Sequence, residues 1–220
     1  MKGKFLILCA VAMTMVSCSK TETTYYPDGH VQSTIHYRFG KETGKSVYYY
    51  DVPNTVEIEV EMKRGKRNGE FYRYFENGLL DTHCQYKNDS IEGVEINYTP
   101  NGEKMQEFTY VNGVKNGPHK AYHLSGETKI TGSFKNDKFD GEWKYYDERG
   151  VMVGEGSFNE GSGDVTFYDQ RGLPSRKTHY KDNKKDGAEE YFTPTGSTYK
   201  TIVFEQDRII STSVDSSLIR

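Results

Sequence analysis

The 220-residue chain sets 29 basic against 32 acidic side chains, a net charge of −3, so it offers no concentrated basic face of the kind that holds nucleic acid. Its 18 Tyr and 11 Phe require a core built mainly from rings. Each Tyr hydroxyl needs a partner, which places those rings in thin layers close to water.

At the N-terminus, Lys2 and Lys4 precede a short apolar run, residues 5–16. The run has the proportions of a signal peptide and is too short for a mature membrane-spanning helix. Met15-Val16-Ser17-Cys18 resembles the lipobox of bacterial lipoproteins. That resemblance implies that residues 1–17 are a lipoprotein signal peptide, that Cys18 carries the lipid and becomes the first residue, and that the membrane is one partner. The implied location is the bacterial cell envelope, at the outer membrane. Cys9 would leave with the signal, and Cys84 then remains as the one unmodified thiol, which rules out an internal disulfide. Cys84 occupies a strand position that is apolar elsewhere (Phe108, Ile202), so it reads as a small buried hydrophobe. Residues 18–24 are polar and read as a short lipid-anchored tether.

From residue 25 the chain repeats. Outer glycines stand at Gly29, Gly78, Gly102, Gly126, Gly150, Gly172 and Gly196, most of them 24 residues apart, with Asn54 in the missing slot. Inner glycines stand at Gly44, Gly69, Gly93, Gly117, Gly141, Gly163 and Gly187, 15 residues after the outer ones except before Gly163, where 13 separate them. Aromatic residues hold the same phase. One series is Tyr37, Tyr86, Tyr110, Phe134, Phe158, Tyr180 and Phe204, with Met62 in its second place. The other is Tyr49, Tyr74, Tyr98, Tyr122, Tyr146, Tyr168 and Phe192. A fixed period of this length marks a repeat architecture.

Within a unit the side chains alternate, as Ile130, Gly132 and Phe134 do against Lys129, Thr131 and Ser133. Period two means strand. Asn77-Gly78 and Asn101-Gly102 suit tight outer turns. The inner turns, such as residues 135–141, read as longer solvated loops, and the two-residue deletion before Gly163 reads as a loop change. The expected fold is all-β: antiparallel hairpins of about 24 residues over residues 25–205, stacked into an elongated, twisted sheet or solenoid with each ring series forming a ladder. Residues 206–220 follow as a capping strand, 208–214, paired with residues 198–204, and a frayed tail.

The phrase Tyr110-Val111-Asn112-Gly113-Val114-Lys115-Asn116-Gly117, with its glycines and ring in phase, resembles the MORN-repeat variant of YwqK-family antitoxin-like proteins. The resemblance spans about residues 25–204. It implies a repeat module that binds a protein, and through the family name an antitoxin or immunity-like protein that masks a partner.

Catalytic chemistry finds little footing. Asp182-Asn183-Lys184-Lys185-Asp186-Gly187 has the look of a calcium loop, but Lys184 fills the third ligand position and Thr193 the last. His30, His36, His83, His119, His123 and His179 lack zinc spacing and read as surface residues. No metal, cofactor or catalytic residue is expected. A glycan-active enzyme, the least favoured alternative, would need two carboxyls at about 5–9.5 Å. One patch stands out: Trp143, Tyr145, Val165 and Phe167, two and four places after inner glycines, read either as local core or as an exposed aromatic binding patch. The functional expectation is a cell-envelope lipoprotein acting as a non-catalytic protein-binding or scaffold module.

Overall fold

The computed structural model describes residues 18–218. The expected signal peptide, residues 1–17, lies outside the described residues, as do residues 219–220. The first part of the chain forms β1 (Ser19–Tyr25), β2 (Val31–Arg38), β3 (Lys41–Glu42), β4 (Gly44–Tyr49), β5 (Val56–Lys63), β6 (Lys66–Tyr74) and β7 (Leu80–Lys87). The middle forms β8 (Ser90–Ile91), β9 (Gly93–Tyr98), β10 (Lys104–Val111), β11 (Val114–Tyr122), β12 (Thr128–Lys135) and β13 (Lys138–Tyr146). The last part forms β14 (Met152–Asn159), β15 (Ser162–Tyr168), β16 (Pro174–Lys181), β17 (Lys184–Phe192), β18 (Thr198–Glu205) and β19 (Arg208–Val214). All 19 belong to one sheet. Each strand runs antiparallel beside its sequence neighbour, with β3 and β4 together facing β2, and β8 and β9 together facing β7. The connections are too short for crossovers, so a meander is the available topology. Among the described residues the sheet is open, with β1 and β19 as its edges.

The turns differ from the expectation in an instructive way. The inner turns are tight, two residues long, and both of those residues have positive φ: Asn112 and Gly113 at 52° and 81°, Asn136 and Asp137 at 52° and 65°. This is the mirror-image turn whose twist matches a β-hairpin, and Asn, Asp and Gly tolerate it best. The inner glycines lie beyond those turns, inside the second strand. Opposite Thr131 and Ser133 stand Lys144 and Asp140, so residues 141–143 face Gly132 alone and the strand bulges. Gly141 takes φ +71° there.

The two-residue deletion is therefore not a loop change. It falls inside β15, and β14 and β15 pair without any register shift, from Gly154 opposite Phe167 to Asn159 opposite Ser162. Removing two residues removes the bulge, and the backbone at Gly163 is that of an ordinary strand, without the positive φ of Gly141.

Nor are the inner turns simply solvated. Each bulge frees backbone groups that the next hairpin's turn captures. Asp137 Oδ1 accepts the Lys115 N–H at 2.9 Å, and the Asp137 N–H donates to Lys115 O at 2.9 Å. Asp89 serves Arg67 in the same way, and Asp207 serves Lys185. Asn183, one of the calcium-loop residues, accepts the Phe139 N–H at 2.7 Å and donates to Asp137 O at 2.8 Å, reaching past the hairpin that lacks a bulge. At the opposite edge of the sheet, Tyr26, Tyr50 and His123 reach the main-chain oxygens of Tyr49, Tyr74 and Tyr146 one unit further on.

Most of the stretch expected as a tether is strand: Ser19–Tyr25 form β1, paired from Ser19 opposite Arg38 onwards. The reason is local: Thr21, Thr23 and Thr24 are β-branched and favour the extended chain, and Thr24 shares a hydrogen bond with Ser33 at 2.8 Å. At the other end β19 pairs with β18, with Ile202 opposite Thr212. The tail turns into a short 3-10 segment, Ser216–Leu218, capped by Asp215.

Candidate functional site

Most of the buried side chains fall along one row that crosses the sheet from strand to strand, with Ser33, Thr82, Phe134 and Phe158 lying beside it. Ser46 faces Val60, Val60 faces Phe71, and Phe71 faces Cys84. Further on, Phe108 faces His119 and His119 faces Gly132. Trp143, Gly156, Val165, Thr178, Glu189 and Ile202 continue it. On the second strand of each hairpin the row is filled by the residue two places after the inner glycine.

Trp143 and Val165 are in this row and are only 4% and 1% exposed. Tyr145 and Phe167 lie beside them, half-buried, with ring centres 5.0 Å apart. The structure thus brings the four patch residues together, but as core and not as an exposed binding patch. They sit on β13 and β15, separated by β14, and meet because β14 contributes Gly154 and Gly156 between them. A Cβ at Gly154 would stand 2.7 Å from Phe167, and one at Gly156 would stand 2.8 Å from Val165. Phe108, Ile130, Phe134, Phe139, Phe158 and Tyr180 complete the cluster. Of the two expected ladders, the Tyr37-to-Phe204 series is the one whose rings enter the core, through Phe134, Phe158 and Tyr180. Among the described residues no ring pair joins members of the Tyr49-to-Phe192 series, which stand at the outer end of the strands, where the register slips next to the outer turns.

Two polar groups in the row, His119 and Glu189, carry chemistry that the sequence did not signal. His119, expected at the surface, is 7% exposed and stacks on Phe108 at 4.5 Å. Its Nδ1–H donates to Glu107 O at 3.0 Å, and burial holds its pKa below the usual histidine value. Glu189, 2% exposed, accepts from Lys185 Nζ at 2.6 Å, Tyr191 OH at 2.7 Å and Thr178 Oγ1 at 2.9 Å. Burial alone would raise its pKa, but those donors outweigh burial and hold it below the usual value. Cys84, 1% exposed, is the buried hydrophobe expected, and desolvation pushes its thiol up to about 12, so it is no nucleophile.

The opposite face is polar. A groove of about 470 Å³ over β13–β15 is lined by Glu142, Lys144, Glu155, Asp164 and Tyr168. Tyr168 OH donates to Glu155 at 2.7 Å, while Lys177 and His179 hold Asp164 at 2.8 and 2.7 Å. Burial tends to raise the Asp164 pKa, yet those two donors bring it below the usual value. One group has the residue types of a metal site, Asp28, His30 and Asp51. His30 turns Nδ1 to Asp28 and Nε2 to Asp51, 3.4 Å away. The two carboxylates flank the ring from opposite nitrogens, so the trio forms a clamp on the imidazole.

A single sheet of similar hairpins, clipped unit to unit at both turn ends, defines a β-hairpin repeat protein. The family model of the MORN repeat variant matches residues 20–38, 67–88, 91–112 and 139–160, so these four stretches are similar to that repeat. Three of these matches run from just after one inner turn to the start of the next, so the matched unit is a hairpin centred on an outer turn. Among curated proteins none matches the chain. Among solved structures, the chain is similar to parts of the crystal structures of TcdB2-TccC3-TEV and TcdB2-TccC3-Cdc42, at 12% and 13% identity with a TM-score of 0.24 in both. Each match covers 84% of this chain and 12% of the other.

Proposed function

We propose that this chain is a bacterial cell-envelope lipoprotein, anchored at the outer membrane through a lipid on Cys18, whose repeat sheet acts as a non-catalytic protein-binding or scaffold module. The observation that carries the reading is the position of Cys18: it ends a stretch of lipobox form and stands exposed immediately before β1. Its carbonyl accepts the Phe39 N–H at 3.0 Å, so the proposed lipid would hang directly from the folded sheet.

The binding role is supported by the repeated hairpins and by the polar face around Glu155 and Asp164, which sits outside the packed core. The non-catalytic part is supported by the carboxyls. Among the described residues, those whose pKa is displaced, such as Glu70, Asp164 and Glu189, are displaced downward. A glycan-cleaving general acid needs the opposite shift.

Growing cells on an alkyne-tagged fatty acid tests the anchor. Label should appear on the wild-type chain and vanish in Cys18→Ala, with the mature chain beginning at Cys18. An unlabelled, soluble wild-type chain would defeat the lipoprotein reading. Crosslinking in intact cells followed by capture tests the binding role. A single stoichiometric protein partner supports it, and recovery of the chain alone argues against it.

A further inference from the structure

We propose that the sheet sits on its anchor tip-down, with the inner turns of its first two hairpins resting on an anionic phospholipid surface. The inference rests on the reading of Cys18 as the lipid-bearing residue and deepens it, because the fold leaves no slack between that residue and the sheet. β1 begins at Ser19, its first residue faces Arg38, and the Cys18 carbonyl is bonded to Phe39 in the first inner turn. A lipid on Cys18 therefore emerges beside Phe39 and Gly40.

What surrounds that point is basic. Arg38, Lys41, Lys63, Arg64 and Lys66 flank the first two inner turns and are all exposed. The two tips are joined into one rim, since the Gly65 N–H donates to Glu42 O at 2.8 Å and the Arg64 N–H reaches Thr43 Oγ1 at 3.4 Å. The neighbouring Lys20 and Arg67 are occupied by Glu22 and Asp89. The five rim side chains have no ion-pair partner among the described residues. Phe39 stands at the same point, 64% exposed, with the Arg38 guanidinium 5.5 Å over its ring. An exposed ring within a basic cluster is the composition that inserts at a bilayer interface. Glu42 is the one carboxylate within the rim.

The other end of the same hairpins has the opposite character. Their outer turns carry Asp28 and Asp51, which an anionic surface repels. The lipid fixes where the chain is held, and the charge difference between the two ends fixes which way up it stands. The inner turns of the later hairpins carry Asp89, Asp137, Glu160, Asp182 and Asp207, so the contact is confined to the first two hairpins.

The test uses the chain from Cys18 onwards with a maleimide lipid coupled to Cys18; Cys84 is buried and does not compete. Vesicles of phosphatidylcholine and phosphatidylglycerol carry brominated acyl chains. Phe39→Trp should lose at least half its added fluorescence to bromine, while Leu124→Trp, on an outer turn and 76% exposed, should lose none. Arg64→Glu with Lys66→Glu, or vesicles lacking phosphatidylglycerol, should at least halve the quenching at position 39. Equal quenching at both positions, or quenching at 39 that ignores lipid charge, overturns the proposal. Because the lipid is attached chemically, failure here leaves acylation of Cys18 in cells untouched, and the labelling experiment reads that separately.

Discussion

Trp143 covers Gly132 so closely that a Cβ on the glycine would stand 2.3 Å from the indole Cδ2. The bulge that begins at Gly141 aims the indole back over the neighbouring strand, and the absent side chain of Gly132 makes the room. Phe134 and Phe139 then close on the ring at 5.3 and 4.7 Å. Gly132→Ala should therefore overpack the core and cost about 1–3 kcal/mol, read by urea denaturation. Trp143 is the chain's single Trp, so its fluorescence should shift to the red in the native variant. An unchanged midpoint and spectrum would mean that the indole has other space to occupy.

Clips between units make a second prediction. Asp137→Gly keeps a residue that accepts φ +65° but removes the acceptor of the Lys115 N–H. The expected loss is about 0.5–1.5 kcal/mol, and hydrogen exchange should speed up at Lys115 more than at Lys135. Asp137→Asn should restore most of both, because its amide oxygen can accept the same bond. If Gly and Asn behave alike, the carboxylate's charge, and not its hydrogen bond, is what matters at this turn.

Acid sensitivity should trace in part to Glu189. Its folded pKa lies below the usual 4.5 because Lys185, Tyr191 and Thr178 favour the carboxylate, against the effect of burial. The unfolded chain therefore binds the proton more readily than the folded one. The resulting stability is present above about pH 4.5 and is lost as pH falls through the folded value. Glu189→Gln should cost about 1.5–3 kcal/mol at pH 7 and show a shallower decline in stability below pH 4.5. Parallel acid limbs for the two proteins would place the sensitivity elsewhere.

The period, the antiparallel pairing and the hairpin unit could be read from the glycines and rings because each is a local signal repeated in phase. What could not be read was which glycine turns the chain and which one bulges it. Asn136-Asp137 forms the inner turn without any glycine, while Gly141 lies four residues past that turn, inside a strand. Spacing alone cannot separate the two, since both recur with the same period. The core row was hidden for a different reason. Its members Ser46, His119, Trp143, Val165 and Glu189 share a position but no chemistry, so hydrophobicity marks only two of them. Trp143 and Val165 drew notice as a patch because they are apolar in neighbouring repeats, whereas Phe71, at the same position, stands between Ser46 and Glu95. Their burial depends on Gly132, Gly154 and Gly156 on adjacent strands, and that pairing needs the register, which the bulges set.

The edges of the sheet make the last prediction. β19 buries nothing: every residue from Arg208 to Val214 is exposed, so it does not protect β18 by covering it. What it changes is the character of the open edge. β18 holds Tyr199, Ile202, Val203 and Phe204, whereas β19 sets Ser213, Thr212 and Ser211 opposite Thr201, Ile202 and Val203. The Ser211-Thr212-Ser213 centre of β19, between the exposed Ile209-Ile210 and Val214, is a poorer template for a second chain than the Ile202-Val203-Phe204 run of β18. β1 at the far end is built the same way, with Thr21, Glu22, Thr23 and Thr24 along it. Deleting residues 206–220 should expose the apolar edge and also remove Asp207, whose carboxylate holds the Lys185 N–H at 2.8 Å. The truncated chain should elute as larger species and lose exchange protection in β17 and β18. Strands β5 to β13 should keep theirs, because in a stacked repeat each unit leans on its neighbours alone. A truncated chain that melts and elutes like the full one would show that β19 is no cap, and would leave its exposed Ile209 and Ile210 as a docking strand instead.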